Sequence, residues 1–161
     1  MEVLVIKTLT EKSFHQFGNI IDTNQKPPLE INNGRCLRYN DLADLNFENG
    51  SAGISLFQSK QINLPYKFNF MEKHPLGSQA FIPVFGGSFI VIVASDYNNR
   101  PGKPEVFLTK DGQGINYHRN IWHGILAPIE GHGLFAVIDW VGSGNNLDTH
   151  YYDDWYSIQQ N

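Results

Sequence analysis

A chain of 161 residues that is 41% hydrophobic is the size and make-up of one ordinary globular domain, able to bury a core without covalent staples. Only 17% of the residues are charged, and 12 Lys plus Arg against 16 Asp plus Glu leave a net charge of −4, so no basic field exists to draw in nucleic acid or an anionic membrane. The longest aliphatic run, Phe89 to Ala94, is too short to span a bilayer, and the lone Cys36 has no partner within the chain; a soluble cytoplasmic protein is expected.

The polar share rests on sixteen asparagines with Gln, Ser, Thr and Gly, beside 13% aromatic residues, a mixture suited to strands joined by tight turns. Leu9 to Gly18 predicts a short helix with Thr10 as N-cap, Leu9 and Phe14 as a hydrophobic staple and Gly18 as its stop. From Pro27 to Gly50 turn residues crowd around Arg35 and Arg38, which reads as a functional loop with short strands. Cys36 within it reads as a small, half-buried apolar residue.

After Gly50 the pattern predicts strands at Ala52–Gln58, Ala80–Val84, Ser88–Ala94, Glu105–Thr109, Gly114–His118 and Leu134–Val141. Gly86-Gly87, Asn98 to Gly102 and Asp111-Gly112 supply the turns between them. Many short strands with Gly-rich turns imply an antiparallel sandwich or barrel, with no boundary that would divide residues 1–161. The aromatic tail from Asp148 to Asn161 is expected to pack along the barrel or against a partner, or to form a partly ordered terminus. Asp139, alternating with apolar neighbours, reads as a buried partner for an arginine.

Two groups of ionisable residues stand out. Glu72 and His74 are two apart, so in an extended segment they share a face, and Gln79 follows; His118 and His123 form the second group. Together they read Glu72-x-His74-x4-Gln79-x6-Gly86 and Gly112-x5-His118-x-Asn120-x2-His123. This order resembles the two motifs of the cupin superfamily, whose barrel brings the motif side chains together in its mouth. Position by position, Glu72 stands at the first metal histidine, His74 at the second, Gln79 at the usual glutamate and His123 at the histidine of the second motif. His118 stands at the usual proline, Asn120 at a glycine and Ala127 at the closing asparagine. Two imidazoles with a carboxylate suit a first-row divalent ion, with Gln79 as a weak fourth donor.

The blocks Ile31-Asn32-Asn33-Gly34 with Arg38-Tyr39, Glu72 to Pro83 and Gly112 to His123 resemble the ureidoglycolate lyase family. The resemblance implies an all-β cupin-type antiparallel barrel (a jelly roll) with a few short helices, a homodimer, and cleavage of (S)-ureidoglycolate to glyoxylate and urea in allantoin catabolism. Nickel is the metal associated with that family. On this reading His74, Gln79 and His123 hold the metal, Glu72 is a further ligand or the general base, and His118 donates a proton to the leaving urea. Arg38 or Arg119 holds the substrate carboxylate, and Asn33, Tyr117 and Trp122 line the pocket. The alternatives are another metal cupin, an isomerase or dioxygenase, and a metal-free cupin that only binds a small carboxylate.

Overall fold

The computed structural model describes residues 1–159, in which strands are the dominant regular element and helix is almost absent. In chain order they are β1 (Glu2–Thr8), the short helix α1 (Glu11–Phe14), β2 (Gly18–Ile21), β3 (Leu29–Ile31), β4 (Cys36–Arg38), β5 (Ser51–Gln58), β6 (Tyr66–Lys73), β7 (Gln79–Pro83) and β8 (Phe89–Ala94). There follow β9 (Asp96–Tyr97), β10 (Arg100–Pro101), β11 (Glu105–Leu108), β12 (Gly114–Tyr117), β13 (Trp122–His123), β14 (Ala127–Pro128), β15 (Leu134–Val141) and β16 (Asp148–Gln159).

Six strands in the order β11-β1-β16-β6-β13-β8 close into a ring, because β8 also pairs with β11. A five-stranded sheet, β2-β12-β7-β15-β5, packs against it. The expected cupin-type barrel is therefore present, and β1 makes it mixed by running parallel to both β11 and β16. Those partners lie about a hundred residues or more along the chain, so no hairpin sets their direction.

Strand β8 explains the layering. All six of its residues are buried. Phe89, Val91 and Val93 join Phe81, Ile115, Phe135 and Val137 in the core between ring and sheet, where Phe89 meets Phe135 edge-on at 5.1 Å. Ile90, Ile92 and Ala94 point the other way, into a core that receives side chains from every strand of the ring. A strand buried on both faces reads as a continuous apolar run, which is what Phe89 to Ala94 is.

The helix is shorter than expected, ending at Phe14, although Thr10 caps it and Leu9 and Phe14 are both buried in the inter-sheet core. Gly18 does not stop it. It begins β2, where a Cβ would collide with the carbonyl oxygen of Asn116, so close backbone approach is what demands glycine there. The tail is a strand of the ring, paired with β6 and β1, although Gln160 and Asn161 lie outside the described residues. Cys36 is exposed, not half-buried, because β3 and β4 form a hairpin that pairs with no other strand among the described residues. The chain after this hairpin is tied across the end of the second sheet by Asp44 N–H to Asn19 Oδ1 (3.1 Å), Asn46 N–H to Ser78 Oγ (3.0 Å) and Glu48 N–H to the Leu76 carbonyl (2.8 Å).

Candidate functional site

The end of β6 supplies the first half of the site. Side chains alternate there: Glu72 faces the second sheet and Lys73 the opposite side. Lys73 is 2% exposed, and its Nζ donates to Asp96 Oδ2 (2.9 Å) and Asn99 Oδ1 (2.6 Å) while lying 4.8 Å from the centre of the Trp122 ring. Trp122 Nε1 donates to the same Asp96 oxygen at 2.7 Å. This network fastens β6 to β13, and the β6–β13 register sets His123 directly opposite Glu72.

His74 follows β6, and its carbonyl accepts the Asn120 N–H at 2.9 Å, joining the two histidine-bearing segments. Asn120 stands where the cupin motif has glycine and keeps the left-handed backbone, with φ of 67°. His74 Nδ1 lies 2.7 Å from the Asn146 carbonyl and His123 Nδ1 lies 2.9 Å from the Gly124 carbonyl. A carbonyl only accepts, so both Nδ1 atoms carry a proton, and in the neutral ring Nε2 is the atom that offers a lone pair. Those two Nε2 atoms are buried with no hydrogen-bond partner among the described residues, and so is Gln79 Oε1.

Ligand atoms of Glu72, His74 and His123 lie within 4.8 Å of one another. Two imidazole nitrogens and a carboxylate, with an orphaned amide oxygen on a shared wall, can hold a divalent metal ion; polar atoms left unpaired in a core are otherwise costly. Second contacts that fix the Nδ1 tautomer are the usual companions of metal-ligating histidines. Burial pushes the His123 imidazole down to about 3, helped by the neighbouring His74. Burial also raises the Glu72 carboxyl above its usual range, against the opposing pull of His74. Tyr117 lies flat on His123 and its hydroxyl is pushed up by burial and by Glu72.

A cavity of about 390 Å³ opens between the sheets over this cluster, walled by Phe57, Glu72, Gln79, Phe81, Tyr117 and His123 among others. A second, more polar opening is lined by His74, Gln79, Asp139 and Asn146. Gln79 thus stands between an apolar chamber and a polar one. No lysine or arginine is among the lining residues of either.

The sequence profile of the family described as Ureidoglycolate lyase matches residues 1–159. The chain belongs to the ureidoglycolate lyase family. A ureidoglycolate lyase of Rhodobacter capsulatus is 48% identical over 151 residues, covering 93% of this chain and 94% of that protein. One of Chelativorans sp. is 41% identical over 160 residues, covering 98% and 97%. Ureidoglycolate lyase 2 of Rhizobium meliloti is 40% identical over 158 residues, covering 97% of each.

Of the residues that the family resemblance singles out, the structure gathers Glu72, His74, Gln79, Tyr117 and His123. The others lie elsewhere. Trp122 is not a cavity wall: as the neighbour of His123 on a strand it faces the other way, into the ring core. His118 follows Tyr117 and is not among the cavity-lining residues; its backbone N–H bonds to the Phe17 carbonyl at 2.9 Å. Arg119 is exposed and ion-paired with Glu48. Asn33 and Arg38 are exposed on the β3–β4 hairpin.

Asp139 joins the lining of the polar opening, a place that sequence reasoning did not give it. The group beside it is the Gln79 amide, which lowers its carboxyl, while burial, the larger effect, raises it; among the described residues no ion pair joins it to an arginine. The signal was its spacing from Val137: both side chains face inward on β15.

Proposed function

We propose that this chain is a cytoplasmic ureidoglycolate lyase that cleaves (S)-ureidoglycolate to glyoxylate and urea. The observation that carries the reading is the convergence of Glu72, His74 and His123 in a cavity sized for a small acid, within a chain of this family. The substrate carbon bears a hydroxyl, a carboxylate and the urea nitrogen, so breaking its C–N bond needs proton transfers and no nucleophile. Glu72 accepts the hydroxyl proton. The oxygen's electron pair forms the aldehyde carbonyl, the C–N bond breaks, and its pair goes to the urea nitrogen, which takes the proton back from Glu72. A carboxyl held above its usual range is suited to both transfers.

On this reading His74, His123 and Gln79 would hold a divalent ion, for which nickel is the family's association, and which would supply Lewis acidity to the oxygens of a bound hydroxy acid. Tyr117 keeps His123 in place, and Phe57 and Phe81 shield the reacting carbon from bulk water.

The substrate carboxylate needs a cation that the cavity walls do not include. Homodimerisation supplies one on this reading. Arg38 and Asn33 sit on a hairpin that pairs with no other strand among the described residues and exposes Leu29, Ile31 and Leu37, a surface suited to a second copy.

Urea release from (S)-ureidoglycolate by the purified protein tests the activity. Turnover by the parent and its loss in Glu72→Gln is the expected result; a parent that releases no urea, with or without added nickel, overturns it. Turnover retained by both His74→Ala and His123→Ala proteins lacking bound metal overturns the metal-holding role alone.

A further inference from the structure

At the position of Gln79 a carboxylate would present oxygen whichever way its plane were turned, whereas an amide has one accepting end and one donating end. Only Oε1 can serve a metal or a bound hydroxyl. Something must therefore decide which end of Gln79 faces His74 and His123.

The β7–β15 ladder pairs Phe135 with Pro83, Ala136 with Ile82, Val137 with Phe81 and Ile138 with Ala80. The next pair in register is Asp139 opposite Gln79. Both lie on the inward face that Val137 and Phe81 occupy in the core, and both line the polar opening beside His74. The Gln79 amide is the polar group set against the Asp139 carboxylate, whose proton affinity it lowers against the raising effect of burial. Its Oε1, by contrast, is buried and has no partner among the described residues.

We infer that Asp139 is a positioning residue: by taking a hydrogen of the Gln79 Nε2 it fixes the amide so that Oε1 faces the two unpartnered imidazole nitrogens. An acceptor-only carboxylate is the side chain that enforces this orientation, since it cannot hydrogen-bond to Oε1 in its ionised form. Asp139 touches neither the reacting carbon nor its proton. It acts through Gln79, in the way that partners behind a metal ligand hold that ligand's geometry.

This inference rests on the metal-holding half of the proposed function, and it is tested by metal affinity rather than turnover. Zn²⁺ binding is measured by titration calorimetry on the full chain for Asp139→Leu and Asp139→Asn, each in the parent and in a Gln79→Glu background. Asp139→Leu is expected to weaken Zn²⁺ binding at least about tenfold in the parent. Asp139→Asn, which can still present an oxygen to Nε2, retains affinity within about threefold. In the Gln79→Glu background Asp139→Leu changes affinity less than about threefold, because both ends of the substituted carboxylate are oxygen.

Equal losses in the two backgrounds would mean that Asp139 acts only through its charge, and would overturn the inference. So would parent-like affinity of Asp139→Leu, or a parent protein that takes up no Zn²⁺. That last result leaves urea release standing on its own. Thermal unfolding is recorded for each variant, and Asp139→Ala replaces Asp139→Leu if the larger side chain does not fold.

Discussion

Tyr117 and His123 stack face to face, with ring centroids 4.5 Å apart and planes 6° from parallel. They come from different sheets, β12 and β13, so this contact joins the two sheets beside the Glu72, His74 and His123 cluster. It leaves His123 free to rotate only by displacing a buried aromatic ring. Tyr117→Phe preserves the stack and is expected to unfold within about 1 kcal/mol of the parent, whereas Tyr117→Ala opens a cavity and costs about 3 kcal/mol or more. Urea denaturation measures both, and Zn²⁺ affinity falls in the Ala variant as the imidazole loses its support.

The burial of His123 also gives stability a pH dependence with a definite sign. Its folded-state value is lowered from 6.5 to about 3. Above about 6.5 folded and unfolded chains both hold the imidazole neutral, so this contribution is fully present. As the pH falls toward 3 only the unfolded chain takes up the proton, and stability is lost. Glu72 and Asp139, whose carboxyls are raised, act with the opposite sign over the range above about 4. Comparing metal-free parent with His123→Phe isolates the histidine. The parent's unfolding temperature should drop more steeply between pH 6.5 and 4 than the variant's, and identical slopes would show that His123 is not held neutral.

How much of this is legible in the sequence depends on the range of the interaction. Leu134–Val141 reads with its observed bounds and Phe89–Ala94 within a residue, because period-2 and continuous apolar patterns are local. Glu72, His74, Gln79 and His123 are legible from motif spacing. Trp122 faces the ring core while its neighbour His123 joins the cluster with Glu72 and His74, since strand alternation decides faces only once the strand is known to exist, and β13 is two residues long. Asp139 reads as inward-facing but with the wrong partner, because the β7–β15 register that sets it opposite Gln79 joins segments some sixty residues apart. The parallel pairings of β1 have no local signal at all.

The network behind the site offers an asymmetric test. Lys73 is almost wholly buried, and Asp96 is its carboxylate partner as well as the acceptor for the Trp122 indole. Removing the anion strands a buried cation; removing the cation leaves an aspartate that is 31% exposed and can be hydrated. Asp96→Ala should therefore cost about 3 kcal/mol, and Lys73→Met distinctly less. Chemical denaturation of the two single variants checks the order, and a Lys73→Met chain less stable than Asp96→Ala contradicts it.

Arg38 separates a site complete within one chain from one completed by a second copy. A homodimer in which the hairpin of one copy covers the cavity of the other makes Arg38→Ala lose urea release by about a hundredfold, the scale of a lost charge-assisted carboxylate pair. His123→Ala fails for a different reason, at the cavity itself. When the two variants are co-expressed with different tags and the mixed dimer is isolated, twofold symmetry assembles one intact site from the His123 of one chain and the Arg38 of the other. About half of the parent's turnover per dimer should return. Recovery of this kind requires that the two residues act across the interface, because a site built within one chain is broken in both halves of the mixed dimer. A silent mixed dimer, a fully active Arg38→Ala protein, or an active monomer each contradicts the hairpin's role.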